Sequence, residues 1–489
     1  MMKKNENDRA LGILAPLTCL PGQEGVGTFG KEAYQFVDLL SSYGIKIWQI
    51  LPLNPIGYGH SPYQPYSSFA LDEQFISLEG LYEEGLLSSF VPFPLSSDRI
   101  DYEAMHAYKR KELKKAFLQN KEKAMKEIER FKKEKDWAEA WGVFSALHHH
   151  YQTSWEHWLS PRPYSKEIQE EALYEIYLQV LAYRQYEALH RYAKKKGVLI
   201  LGDLPFYVGF DSLDVWMHED QFLLADDHLS PSFVAGVPPD YFSATGQRWG
   251  NPIYDWDKMK KDGFPFLKNR LIENASIYDL LRLDHFRAFD TFWKIPSSSP
   301  DAVTGEWVEA PGKEFFQTLF LEKPSLQKRL VAEDLGLLRK EVLELRDEFA
   351  FPGMNVIQFT FEDAEIQKTN PWNEENSVCY LGTHDNAPTR AFFEALEKEK
   401  QEEWLDALKK KGFTKGTPVE RLIAYGLQKK AKWFILSLPD LLEEGIEARI
   451  NEPSTLNSIN WTYRISDWKK VEEKLNFWQK AFVASGRVA

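Results

Sequence analysis

A chain of 489 residues with 43% hydrophobic content can bury one large core or two ordinary ones, which excludes a disordered protein. Its 60 basic and 73 acidic residues leave a formal charge of −13, which repels polyanions and excludes nucleic acid as an expected partner. Cys19 and Cys379 are far apart and in no ligand spacing, so neither a disulfide framework nor a zinc site is expected, and a reducing compartment is.

In chain order, Lys3 and Lys4 are followed by acidic residues, and the apolar stretch Leu11 to Pro16 reads as a strand rather than a leader. No window approaches the roughly 18 apolar residues of a spanning helix, so a soluble, cytoplasmic protein with no membrane contact is expected. A helical pattern covers Lys31 to Tyr43, and a second strand Ile45 to Leu53. From about Glu79 to Lys196 (79–196) a mainly helical insertion separates strands two and three; Leu113, Phe117, Ala124, Ile128 and Phe131 recur there near helical spacing. The basic stretch Lys109 to Asp136 reads as a solvated helix face. In His148-His149-His150, consecutive helical residues point about 100° apart and cannot chelate one ion together.

A third strand, Val198 to Leu204, leads into Pro205 to Tyr278 (205–278), whose Gly, Pro and aromatic content predicts an ordered loop region over the barrel mouth. Further strands are predicted at Leu280 to Asp284, Leu330 to Glu333, Val356 to Phe361, Val378 to Gly382 and Trp433 to Leu438, with a helix over Glu341 to Phe349. Eight strands alternating with helices predict an α/β fold, a single (β/α)8 TIM barrel over residues 1–489. A bare barrel needs about 250 residues, so large insertions are implied.

Three of these runs carry an acid at the carboxyl end: Asp284, Glu333 and, in Gly382-Thr383-His384-Asp385-Asn386, Asp385. Strands buried on both faces are nearly uninterrupted aliphatic runs, and their carboxyl ends are where barrel enzymes keep catalysts. A single such acid is as readily a helix cap or an Arg partner; three together, with Arg282, His285 and His384, point to a site. Arg282 and Asp284 face the same way, so the guanidinium favours an ionised Asp284, as a glycosidic nucleophile requires. Glu333, near another anion, is expected to hold its proton and serve as general acid and base. Asp385 is a third anion able to stabilise an oxocarbenium-like transition state. Aromatic residues make up 14% of the chain, many in loops, which suits flat sugar rings.

The segments RLDHFRA at Arg282 to Ala288, VAEDLG at Val331 to Gly336 and GTHDN at Gly382 to Asn386 resemble the catalytic segments of the α-amylase superfamily. GYGHSPYQPYSSFA at Gly57 to Ala70, GDLPFYV at Gly202 to Val208, GVPPDYFSATGQRWGNPIYDW at Gly236 to Trp256 and ARINEP at Ala448 to Pro453 narrow the resemblance to glycoside hydrolase family 77, the amylomaltases or 4-α-glucanotransferases. It runs from near Leu11 to Arg464. The resemblance implies retaining transfer of α-1,4-glucan segments from a maltooligosaccharide donor to the 4-hydroxyl of glucose or another glucan. By motif position Asp284 would be the nucleophile, Glu333 the acid/base and Asp385 the transition-state stabiliser.

Tyr63, Asp203, Arg282 and His384 match residues that hold the sugar at the cleavage site; Tyr241, Phe242, Gln247 and Trp249 match a loop over the bound glucan; Asn451 matches a further sugar contact. No cofactor, metal, obligatory protein partner or carboxyl-terminal β-sandwich is implied. Three positions depart from the family pattern: Ala387-Pro388 after Asn386, Leu71-Asp72-Glu73, and His60. An α-amylase-like hydrolase would use the same three acids, and a non-catalytic glucan-binding descendant is the remaining alternative.

Overall fold

The computed structural model describes residues 9–95, 98–159, 165–239, 243–336, 338–361 and 374–488. Twelve strands are described among them: β1 Ala10–Leu14, β2 Ile47–Gln49, β3 Leu199–Leu204, β4 Phe233–Val237, β5 Gln247–Pro252, β6 Leu280–Leu283, β7 Thr291–Pro296, β8 Glu306–Glu309, β9 Leu330–Ala332, β10 Gly353–Val356, β11 Ser377–Tyr380 and β12 Trp433–Ser437. Eight form one parallel sheet in the order β10-β11-β12-β1-β2-β3-β6-β9. Between its two ends the Ala332 N–H donates to the Pro352 carbonyl at 2.9 Å, so the sheet curls into a nearly closed barrel.

The strands form because their residues are buried on both faces: β1, β6, β9, β10, β11 and β12 are buried throughout. Inside the barrel, the Tyr380 hydroxyl donates to Gln49 Oε1 at 2.9 Å, which satisfies a buried polar pair. None of the described helices is long and apolar enough to cross a membrane.

Between β2 and β3 the chain is largely helical, with helices Tyr102–Gln119, Lys121–Glu134, Ala138–Tyr151 and Lys166–Lys195. Leu113, Phe117, Ala124, Ile128 and Phe131 are all buried there. The periodic run is broken at Asn120, whose side chain donates to the carbonyls of Ala116 and Leu86. Asp101 caps the first of these helices by accepting from the Ala104 N–H.

Two expectations are corrected. The sixth barrel strand is Gly353–Val356, and the predicted strand Val356 to Phe361 is mostly the short helix Ile357–Thr360. A short apolar run does not distinguish a buried strand from a buried helical turn. Residues 205–278 are not mainly loop: helices Leu213–Met217, Trp256–Asp262 and Pro265–Ile277 lie there, with β4 and β5. Those strands join β7 and β8 in an antiparallel sheet of order β5-β4-β7-β8. β8 reads Glu-Trp-Val-Glu and is largely exposed, so neither hydrophobicity nor alternation marks it.

Gly353 has no room for a side chain. A Cβ there would sit 2.4 Å from Asp334 Oδ2 and 3.0 Å from Arg346 Nη1, the partners of a buried ion pair at 2.5 Å. Gly353→Ala should lower unfolding free energy by about 3 kcal/mol, the scale of disrupting a buried pair. Thermal unfolding checks this; an unchanged midpoint would refute the account of that strand.

Candidate active site

Parallel pairing of β3 with β6 sets Asp203 beside Arg282 in register, and pairing of β6 with β9 sets Leu283 beside Ala332. The next residues along, Asp284 and Glu333, therefore emerge at the same carboxyl-terminal rim. Arg282, 3% exposed, donates from Nη1 to both oxygens of the fully buried Asp203, at 2.9 and 2.7 Å. The same nitrogen lies 2.9 Å from Asp284 Oδ1. The expected pairing of Arg282 with Asp284 is thus part of a larger group, because one guanidinium serves two carboxylates. Tyr63 joins it by donating from its hydroxyl to Asp203 Oδ2 at 2.9 Å.

Glu333 is held by the turn that follows β6. His285 adopts a left-handed backbone, φ 47°, which aims its N–H at Glu333 Oε2 at 2.8 Å. The Phe286 N–H donates to the Glu333 carbonyl. A non-glycine residue in that conformation is strained, and such strain gathers at functional sites.

Burial pushes the Glu333 carboxyl up to about 8, with Arg282 opposing and Asp284 adding to the rise. Burial likewise pushes Asp284 up to about 7, opposed by Arg282 and reinforced by Asp203 and Asp385. Asp284 keeps 27% of its side-chain surface open and its ion pair with Arg282, so it is the first of the two to ionise. Between these values the pair carries one proton, and the ion pair of Asp284 with Arg282 favours its place on Glu333.

Asp385 accepts from Asn451 Nδ2 at 2.7 Å and lies 3.3 Å from His384 Nε2. Burial keeps His384 from protonating, despite the pull of Asp385, so it is neutral. Its ring stacks on Tyr63, 5.2 Å between centroids and 9° between planes. Asn386 explains the last letter of its motif: its Oδ1 accepts from both the N–H and the hydroxyl of Thr383, closing the turn that presents Asp385.

A cleft of about 490 Å³ opens over these groups, lined by Asp284, Glu333, Asp385, Arg282, Tyr63, Gln247, Trp249 and Asn451. Asp203 and His384 stand directly behind that lining, bonded to it as above. Trp249 donates from Nε1 to Gln247 Oε1 at 3.1 Å, and its carbonyl accepts from Gln64. Tyr241 and Phe242 lie outside the described residues. Sequence reading missed Trp461, Phe359 and Tyr207, which also line the cleft. Phe359 was hidden by the misread strand, and no local pattern marked Trp461.

Beneath the rim, Arg270 on Pro265–Ile277 is 2% exposed. Its five N–H groups reach the carbonyls of Pro205, Phe206 and Tyr207, the Tyr254 hydroxyl and Ser68 Oγ. This pins the loop after Asp203 to the loop that carries Tyr63.

His148 and His149 diverge as expected of helical neighbours: the first bonds Asp211, and the second lies 3.3 Å from Glu175. His149, Glu171 and Glu175 have chelating spacing, but the Arg110 guanidinium already bonds Glu175 at 2.6 Å and Glu171 at 3.2 Å.

If the site works with Asp284 ionised and Glu333 protonated, kcat/KM should rise as pH passes about 7, fall beyond about 8, and so form a bell. Initial rates across neutral pH, on a maltooligosaccharide donor as the sequence resemblance implies, measure it. A rate that stays flat well into alkali would mean that another group donates the proton.

A sequence profile of the family described as 4-alpha-glucanotransferase matches residues 15–470. The chain is 38% identical to the 4-alpha-glucanotransferase of Aquifex aeolicus, over 98% of this chain and 99% of the relative. It is 40% identical to that of Thermus thermophilus, over 94% of this chain and 95% of the relative. The solved amylomaltase of Streptococcus agalactiae in complex with acarbose superposes with a TM-score of 0.92 at 32% identity, covering 98% of this chain and all of that one.

Proposed function

This chain belongs to the 4-alpha-glucanotransferase family, and from that membership we propose how its residues share the transfer of α-1,4-glucan segments. The observation that carries the assignment is the grouping of Asp284, Glu333 and Asp385 around one cleft with Arg282 beneath them.

In the first half, Asp284 attacks the sugar C1 while protonated Glu333 gives its proton to the leaving glycosidic oxygen, which leaves a glucosyl ester on Asp284. In the second, an acceptor 4-hydroxyl gives its proton to Glu333 as its oxygen takes C1 and frees the Asp284 carboxylate. Two inversions at C1 retain its configuration. The two acids must stand about 5 Å apart for this, as in retaining enzymes.

Asp385, oriented by Asn451 and His384, accepts from sugar hydroxyls and offsets positive charge at C1 in the transition state. Asp203 and Tyr63 hold the same sugar, while Arg282 favours the ionised form of Asp284. Gln247 and Trp249 cover the bound chain, together with Tyr241 and Phe242 by motif. Donors are maltooligosaccharides and longer α-1,4-glucans, and glucose serves as acceptor. The buried, unpaired Cys19 and Cys379 suit a reducing, cytoplasmic setting.

Pure protein given maltotriose should produce glucose together with a ladder of longer oligomers; shortening alone would indicate a hydrolase. Asp284→Asn should lower turnover roughly ten-thousand-fold with folding intact, as removing a nucleophile does. Retained activity in that variant would contradict the assigned role.

A further inference from the structure

His384 and Asp385 leave β11 on the segment from Gly382 to Thr389. Asn386 closes its turn on Thr383, and the Asp385 N–H donates to Thr383 Oγ1 at 3.3 Å. The His384 carbonyl accepts from the Asn451 N–H at 3.1 Å. These bonds shape the turn, while its two ends are held separately.

Asp440, on the short helix Leu438–Leu442 that follows β12, holds them. Its side chain is nearly fully buried and stands outside the lining of the catalytic cleft. Oδ1 accepts from the Thr389 N–H at 2.6 Å, and the carboxylate also takes bonds from the Gly382 N–H and from the hydroxyls of Thr389 and Ser437. Thr389 Oγ1 in turn accepts from Gln358 Nε2 at 3.0 Å, and the same nitrogen donates to the Ala387 carbonyl at 3.0 Å. One carboxylate thus grips both ends of the segment, and Gln358 braces it from the β10 side. The fit is close: a Cβ on Gly382 would sit 2.7 Å from Gln358 Nε2 and 3.0 Å from Asn386 Cβ. Ala387 and Pro388 bring no polar side chain, so the hold on this end falls to Gln358 and Asp440.

A buried carboxylate is a costly way to fasten a loop, because its charge must be desolvated. What it supplies in return is precision, since an ionised acceptor makes shorter and stronger bonds than a neutral one. Burial pushes the Asp440 carboxyl up to about 6, while its donors favour the charged form. It is therefore ionised where Asp284 and Glu333 share one proton. A group that must meet charge at C1 has to stand within about 0.5 Å of its productive place.

We propose that Asp440 is a positioning residue for the transfer: by gripping Gly382 and Thr389 it sets where Asp385 stands against the sugar in the transition state. It acts through the backbone and touches neither the sugar nor the reacting atoms. The proposal rests on the transferase reading above.

The test is a double-mutant cycle on the full chain, with Asp440→Asn and Asp385→Asn made singly and together. Asp440→Asn keeps the shape of the side chain and turns one acceptor into a donor that faces other donors. Because Asp385 is called on most in the transition state, kcat on a maltooligosaccharide should fall about tenfold while KM changes less than about twofold. In the Asp385→Asn background the same change should alter kcat less than about twofold, since no carboxylate is left to place. A merely structural role would lower the thermal midpoint and act equally in both backgrounds. An equal fall in both, or an unchanged kcat in the single variant, overturns the proposal. If Asp440→Asn does not fold, Thr389→Val, which removes the hydroxyl shared by Gln358 and Asp440 and keeps the N–H, should lower kcat about threefold with KM held. No fall there overturns it equally. A wild type that only hydrolyses would refute the transferase reading, and the cycle read on hydrolysis would still decide the role of Asp440.

Discussion

One guanidinium organises the site. Arg282 reaches Asp203 on one neighbouring strand and Asp284 at the end of its own, and it is buried where an unpaired charge would be strongly disfavoured. Without it, Asp203, Asp284, Glu333 and Asp385 would be four mutually repelling acids in a shared cleft. With it, desolvation and charge divide the work: Asp284 stays closest to the cation and ionises first, and Glu333 keeps a proton to higher pH.

The surroundings are built to keep that arrangement in place. Arg270 ties three consecutive carbonyls beside Asp203 to the Tyr63 loop. Asp72 closes the base of the same loop by accepting from the N–H groups of Ile56 and Gln74. Glu73 binds Arg110 of the helical region through both oxygens. One of the departures from the family pattern thus has a physical account: Asp72 closes the Tyr63 loop and Glu73 fastens it to the helical region beside it. His60 stacks on Tyr102 at 4.6 Å. Ala387 offers only its carbonyl, to Gln358.

The barrel was legible because its strands are buried on both faces and read as aliphatic runs, and the acids stood out because they interrupt the ends of those runs. The sixth strand was misplaced because Val356, Ile357 and Phe361 are buried whether the segment is extended or helical, and because Gly353 looks like a turn residue. It is glycine to make way for Asp334. The antiparallel sheet was illegible because β8 is polar and β5 reads Gln-Arg-Trp-Gly-Asn-Pro. Within the site, residue types announced the side-chain chemistry. The backbone's share did not show: nothing in the identity of His285 reveals a left-handed conformation or the bond it directs.

The account stands on Asp284 being the atom-bearing partner of the sugar while Arg282 secures its charge. A fluorinated glucosyl fluoride that forms the ester faster than it leaves should trap it for peptide mapping by mass spectrometry. The expected result is one added fluoroglucosyl mass, confined to the peptide that contains Asp284. A label on any other carboxylate, or continued turnover of that donor with no labelled peptide, would contradict it.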